Sequence, residues 1–293
     1  MRRRQFIQST AAASAALLTA PRWVHALDAE NPYRQEIGLQ LYTLRNQISD
    51  DVTATIKKIA EAGYKQVEPY GFPNCRPMIE AAGEFGLKLH SSHFNSDAII
   101  NNDSGDDDEF DRTLQQANDV GLTHLVVPYL PDTYRSSLED YKRLTGRLNA
   151  AARKAKAAGI QLAYHNHAFE FKPMEGDVSG YDVMMKEFGD EMAFEVDVFW
   201  VAVAGKDPVE LIQSLKGRVS QLHLKDLSAA TAVPSYDGVP NEAFEEIGDG
   251  NINIEAIMKA AVDVGVKHCH VEQDQSPHPV ESVLKSLAVI EAL

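Results

Sequence analysis

The sequence predicts a (β/α)8 barrel, and three observations carry that expectation. After residue 36 a short apolar run, a polar loop and an amphipathic helix recur eight times. Such alternation requires a parallel sheet, because parallel neighbours need a crossover connection. No GxGxxG follows the first strand, so the alternative of an open doubly wound sheet lacks its usual signature.

The predicted strands are 37–45, 65–70, 87–94, 124–129, 160–167, 193–200, 219–226 and 266–273. Between them, DVTATIKKIAEAG runs from Asp51 to Gly63 with apolar residues three and four apart and a glycine stop. EFDRTLQQANDVG ends in the same way at Gly121, the long helix before Gly159 likewise, and NIEAIMKAAVDVG at Gly265. HPVESVLKSLAVIEAL closes the chain as a last helix. The acidic loop from Asn101 to Glu109 reads as a solvated lead-in to the third helix, without the spaced ligands of a calcium loop.

The first 26 residues stand apart. Arg3-Arg4-Gln5-Phe6-Ile7-Gln8 resembles a twin-arginine export signal, and the apolar run Ala11–Ala20 is too short to span a bilayer. The expectation is a signal over 1–26, removed after Ala26, and a single catalytic domain over 27–293. The destination is then periplasmic or otherwise exported, with no membrane attachment after cleavage. Cys75 and Cys269 do not make a disulfide framework, and two free thiols are expected. A net charge of −15 argues against a nucleic-acid partner, whose binding rests on clustered Lys and Arg. The charge is neutral on small-molecule chemistry and leaves oligomerisation open.

In a barrel of this kind the site lies at the C-terminal ends of the strands. Side chains alternate along a strand, so Val196 and Val198 facing the helices turn Glu195 and Asp197 inward. The same alternation turns Gln221, His223 and Lys225 inward on the seventh strand, His268, His270 and Glu272 on the eighth, and His165 and His167 on the fifth. Buried carboxylates need a compensating charge. Asp197, His223, Glu272 and His165 are therefore the candidate ligands of one divalent cation. A mixed nitrogen and oxygen set suits Mn2+ first, with Zn2+, Co2+, Fe2+ or Mg2+ as alternatives. Glu272, His167 and His93 are the candidate acid–base residues. Glu68, Lys225, Tyr42, Tyr70 and Trp200 are candidates for holding substrate, the aromatics by stacking on a sugar ring. Glu170 could curl back over the site.

Asp197, His223-Leu-Lys-Asp226, Glu246-Ile-Gly-Asp-Gly-Asn-Ile252 and Val271-Glu-Gln273, in that order, resemble the sugar phosphate isomerase/epimerase family. That family shares the xylose isomerase-like barrel and includes inosose dehydratases. The resemblance implies one divalent metal held from strands five to eight, with Asp197, His223 and Glu272 on three ligand positions. The epimerase branch carries a glutamate at the end of the fifth strand, where this chain has His165. The wording of Tyr164-His-Asn-His-Ala-Phe-Glu-Phe171 is similar to the dehydratase-like and exported members. The function expected is isomerisation or epimerisation by proton abstraction next to the carbonyl of a non-phosphorylated sugar or keto-sugar. Elimination at the same site, as a dehydratase or a lyase on a keto-sugar or keto-glycoside, is the first alternative. A sugar-binding barrel without turnover is an alternative of another class.

Overall fold

The structure is a computed structural model and describes residues 31–101 and 108–293. The expected export signal and most of the acidic loop lie outside the described residues. Eight parallel strands form the ring: β1 (Gly38–Gln40), β2 (Gln66–Glu68), β3 (Lys88–Leu89 and Ser91–His93), β4 (His124–Val127), β5 (Gln161–His165), β6 (Met192–Asp197), β7 (Val219–Leu224) and β8 (His268–Val271). Neighbours pair in chain order, and β8 pairs with β1. Closure runs through β3, whose first segment pairs with β2 and second with β4. Above the break, the His93 N–H donates to Pro69 O and the Phe72 N–H to His93 O, both at 3.0 Å, so the seam between β2 and β3 continues.

The helices packed outside this ring are α1 (Val52–Ala62), α2 (Arg76–Glu84), α3 (Asp108–Asp119), α4 (Leu138–Ala157), α5 (Gly180–Glu187), α6 (Pro208–Ser214), α7 (Ile254–Val264) and α8 (Pro279–Ala292). Their starts follow from short polar side chains that take an orphan N–H: Asp51 accepts from Ala54, Ser137 from Asp140 and Asn253 from Ala256. At the end of α7, Gly265 sits at φ 84°, a left-handed conformation that other residues adopt at a cost.

The strands stop earlier than the apolar runs suggest, and in three of them the reason is a polar side chain. Gln40 ends β1 by accepting the Tyr42 N–H at 3.1 Å, and the chain turns into the short helical turn Leu41–Leu44. Asp197 ends β6 by accepting the N–H groups of Phe199 and Trp200 at 2.9 and 3.1 Å, which starts the helix Val198–Val203. Glu170 accepts the His167 N–H at 2.8 Å and turns the chain away after β5. Tyr42 on its helical turn, His167 on the loop after β5 and Trp200 on the helix Val198–Val203 therefore lie above the strands rather than on them.

Alternation is as expected. Leu39, Val67, Leu125, Leu162, Val196, Leu222 and Leu224 face the helices and are fully buried in the main core. The barrel interior is polar, unlike the aliphatic layers common in such barrels. Gln40, Gln66, Glu68, Glu195, Gln221, His223 and His270 are all buried there. Val126, Ala163 and Ala193 form a small separate apolar cluster inside. Gly38 also faces in: a Cβ there would overlap the His270 ring and the Gln66 side chain. Cys75 and Cys269 are buried and unbridged.

Candidate functional site

Register sets the site. Asp197 on β6 lies beside His223 on β7, and His223 beside His270 on β8, which leaves Glu272 one residue past the end of β8 at the mouth. The ligating atoms of His165, Asp197, His223 and Glu272 all lie within 4.8 Å of one another. Two ligands at about 2.0–2.2 Å from one ion stand at most ~4.4 Å apart, so small rotations of these side chains suffice. The four residues expected to share one cation are thus brought together.

The back nitrogens of both imidazoles are tied to carboxylates beneath. His165 Nδ1 is 2.8 Å from Glu195 Oε2, and His223 Nε2 is 2.7 Å from Glu68 Oε2. An ionised carboxylate only accepts, so these nitrogens carry protons, which leaves the front nitrogens as the ones that can face a cation. His165 Nε2 then stands 3.7 Å from Asp197 Oδ2, and His223 Nδ1 stands 2.7 Å from Glu272 Oε2. Glu195 also accepts from His93 Nε2 at 2.7 Å and from Gln221. Gln221 Nε2 crosses to Glu68 Oε1 at 2.6 Å, and Gln40 Nε2 reaches Glu68 Oε2 at 2.9 Å. Glu68 therefore lies under the mouth, fully buried behind His223, and not in the cavity where a substrate would meet it.

Three atoms of the quartet are buried without a hydrogen-bond partner: Asp197 Oδ2, His223 Nδ1 and Glu272 Oε2. Lys225 Nζ stands 2.9 Å from Asp197 Oδ2 and 2.8 Å from Glu272 Oε2, but only its 2.8 Å contact with Asp274 has hydrogen-bond geometry. Lys225 offsets one of these three carboxylates. The two that remain, with Glu68 and Glu195 beneath, leave an excess of buried negative charge that a divalent cation would reduce, and the three acceptors without partners could serve as its ligands. The deeper groups of His93, His165, Glu195 and His223, and of Glu68, Glu195, His223 and His270, spend most of their atoms on one another. The group of Glu245, Glu246 and Asp249 is partly exposed and paired with Lys285. The upper quartet is the one whose donor set fits a cation.

The electrostatics follow from this crowding. Without a cation, burial pushes the His223 proton off, but Glu195 and Glu272 outweigh it and hold its pKa well above the usual histidine range, so a metal on Nδ1 would displace a proton. Burial raises the Glu195 carboxyl, yet His223, His93 and the bond from His165 hold it well below the usual range. His167 is different: burial and the neighbouring His165 and Lys225 charges drive it well below, so it is neutral.

Above the quartet is a cavity of about 680 Å3, within the range that takes a small organic ligand. Tyr42, Tyr70, His93, His165, His167, Trp200, Lys225 and Glu272 all line it. Tyr42 meets Tyr70 edge-on at 5.4 Å. Phe94, a further aromatic at a strand end, also lines the cavity though it is almost fully buried, whereas Phe199 is a core residue. Glu170 does not reach over the site. Its oxygens accept from the Tyr164 hydroxyl and the His167 N–H, and it is fully buried beneath the loop.

Several residues that build the site carry no signal in the sequence pattern alone. Asn166 accepts the Asp197 N–H at 3.0 Å and so fixes the backbone of that residue. Asp226 takes four N–H groups, from Leu227, Gly248, Gly250 and Ile252, at 2.9 to 3.1 Å. A Cβ on Gly250 would collide with Asp226. The Ile-Gly-Asp-Gly-Asn-Ile motif therefore grips Asp226 and anchors the loop bordering the mouth. A polar residue at an inward position, such as Gln221 or Gln40, was the available clue to the layer beneath.

Comparison with known proteins agrees with this fold. Residues 56–293 match the family described as xylose isomerase-like TIM barrel. A sugar phosphate isomerase/epimerase from Parabacteroides distasonis superimposes with a TM-score of 0.72 at 25% identity, over 98% of each chain. The IOLI protein, solved with a zinc atom bound, has the same fold, with a TM-score of 0.63 at 13% identity over 88% of this chain and 98% of that one. Inosose dehydratase from Clostridium perfringens is 26% identical over 171 residues, 54% of this chain and 57% of the relative, so the chain spans about half the length of the curated relatives it matches. The chain belongs to the xylose isomerase-like TIM-barrel family.

Proposed function

We propose that the protein is a divalent-metal-dependent carbohydrate enzyme that removes a proton from the carbon next to a sugar carbonyl. The observation that carries this reading is the convergence of Asp197 Oδ2, His223 Nδ1 and Glu272 Oε2, buried and without hydrogen-bond partners, beneath a ligand-sized cavity whose lining includes His165 and Glu272. His165, Asp197, His223 and Glu272 would hold the ion. Its chemistry, when bound, is to polarise a carbonyl and stabilise the negative charge that develops on its oxygen. A zinc atom in a structural neighbour and the mixed donor set support a divalent ion, with Mn2+ the first candidate from the ligand types.

The chain's own residues supply the rest. Glu272 is the base nearest the floor. His93, whose Nε2 meets Glu195 at 2.7 Å, and neutral His167 line the same cavity and are the further acid–base candidates. Tyr42, Tyr70 and Trp200 offer faces and edges to a sugar ring. Among the described residues Lys225 is the one cationic Lys or Arg lining the cavity, and three carboxylates already surround it. A phosphate would find no free counter-charge, which supports a non-phosphorylated substrate.

Return of the proton to the same or the neighbouring carbon gives an epimerase or isomerase, the first reading. The inosose dehydratase relatives favour a second, in which a β-oxygen leaves. Export by a twin-arginine signal remains part of the proposal. Incubation of keto-sugars in D2O with the metal-loaded protein tests the shared step: chelator-sensitive exchange of a C–H beside the carbonyl is expected. A protein that binds such sugars without exchange at any carbon is a binding barrel and not an enzyme.

A further inference from the structure

Beside the first cavity lies a second, of about 520 Å3. Tyr129, His167, Trp200 and Gly238 line both. The partition is aromatic. The His167 ring lies parallel to Phe169, 7° apart at 5.3 Å, and Tyr129 meets both rings edge-on. The Arg135 guanidinium sits 3.4 Å over Phe169.

The charges of this second cavity are spent on each other. Arg135 pairs with Asp132 and reaches the Tyr129 hydroxyl at 3.1 Å, and Lys172 holds both oxygens of Asp237 at 2.8 and 3.1 Å. What remains is a neutral space walled by Tyr129, Phe169, Trp200 and Tyr236, with polar groups at its edge. That combination suits a sugar ring, which is apolar on its faces and hydroxylated at its rim. The partition also carries two buried atoms without partners, His167 Nδ1 and Trp200 Nε1. Both belong to residues that line the two cavities. Buried polar atoms ordinarily have partners, and a small turn of either ring would present these two to a ligand crossing the partition.

We infer that the protein binds a carbohydrate of at least two rings: one over the Asp197–His223–Glu272 floor, the other a neutral sugar ring in the cavity lined by Phe169, Arg135 and Lys172. This rests on the reading that the first cavity takes a sugar, and it makes the natural ligand a glycoside rather than a free monosaccharide.

Calorimetric titration of the metal-loaded native chain with glucose, cellobiose, maltose and trehalose tests it, beside Ser136→Trp, which fills the second cavity from its rim. At least one disaccharide should bind roughly tenfold or more tighter than glucose. Ser136→Trp should remove that advantage and leave glucose binding unchanged. Lys172→Ala is the second variant should the first not fold, and should weaken the disaccharide alone. Disaccharides that bind no tighter than glucose, or variants that change both sugars equally, overturn the inference. The chemistry fails separately: C–H exchange without a disaccharide advantage keeps the proposed reaction and ends the second subsite. A disaccharide advantage without exchange does the reverse.

Discussion

His165 Nδ1 meets Glu195 Oε2 at 2.8 Å, and this one bond turns His165 Nε2 toward Asp197. Where the family resemblance implies a glutamate at the end of the fifth strand, this chain has an imidazole with a carboxylate standing behind it. Glu195→Gln keeps the size of the side chain and removes the charge that holds the His165 tautomer. The expected result is a ~10–100-fold loss of metal affinity with the fold retained, read by competition against a chelating dye. Unchanged affinity would mean that Glu195 has no part in positioning the ligand.

Lys225 stands among Asp197, Glu272 and Asp274. Lys225→Met leaves those carboxylates without their cation in a buried site, and breaking such a buried pair costs ~3–5 kcal/mol. Denaturant unfolding should show the loss most fully in chelator, with part of it recovered on adding Mn2+. A variant as stable as the native chain in chelator would show that the carboxylates are not ionised together.

Removal of metal should itself destabilise the native protein. Binding to the folded state alone adds about 2.7 kcal/mol at a hundredfold excess over Kd. A lower melting temperature in chelator, reversed by Mn2+ or Zn2+, is expected in a thermal unfolding scan, and coincident curves would count against a site at the quartet.

Glu170 gives a pH dependence with a defined sign. Burial raises its carboxyl to about 7, against the opposing hydrogen bonds from Tyr164 and the His167 N–H. The unfolded value is ~4.3. The folded chain thus holds a proton that the unfolded chain releases, and the stability from this group, full below ~4.3, is lost as pH rises to about 7. Between pH 5 and 8, Glu170→Gln should gain roughly 2–3 kcal/mol relative to the native chain. Parallel pH profiles of unfolding free energy for the two proteins would contradict the raised value.

Much of this was legible in the chain. Alternation around Val196, Leu222, Leu224 and Val271 is a local property, and it turns Asp197, His223 and Glu272 inward on the sequence pattern alone. Two things were not local. Glu68 reaches His223 across 155 positions, so its place behind the imidazole depends on barrel closure and not on its own strand. Tyr42, His167 and Trp200 sit beyond strand ends set by side-chain caps, where a period of two no longer applies. The division of the mouth by Tyr129 and Phe169 likewise comes from how loops pack. Ile-Gly-Asp-Gly-Asn-Ile, read as part of a family likeness, proves to be the clasp on Asp226.

The most direct test is the metal content of Asp197→Asn beside the native chain. Asparagine can keep Oδ1 as the cap that accepts from Phe199 and Trp200, and it replaces only the orphaned oxygen. After equilibration with Mn2+ and gel filtration, elemental analysis should find one ion per native chain and little or none in the variant. Equal metal in both proteins would contradict the assignment of the quartet.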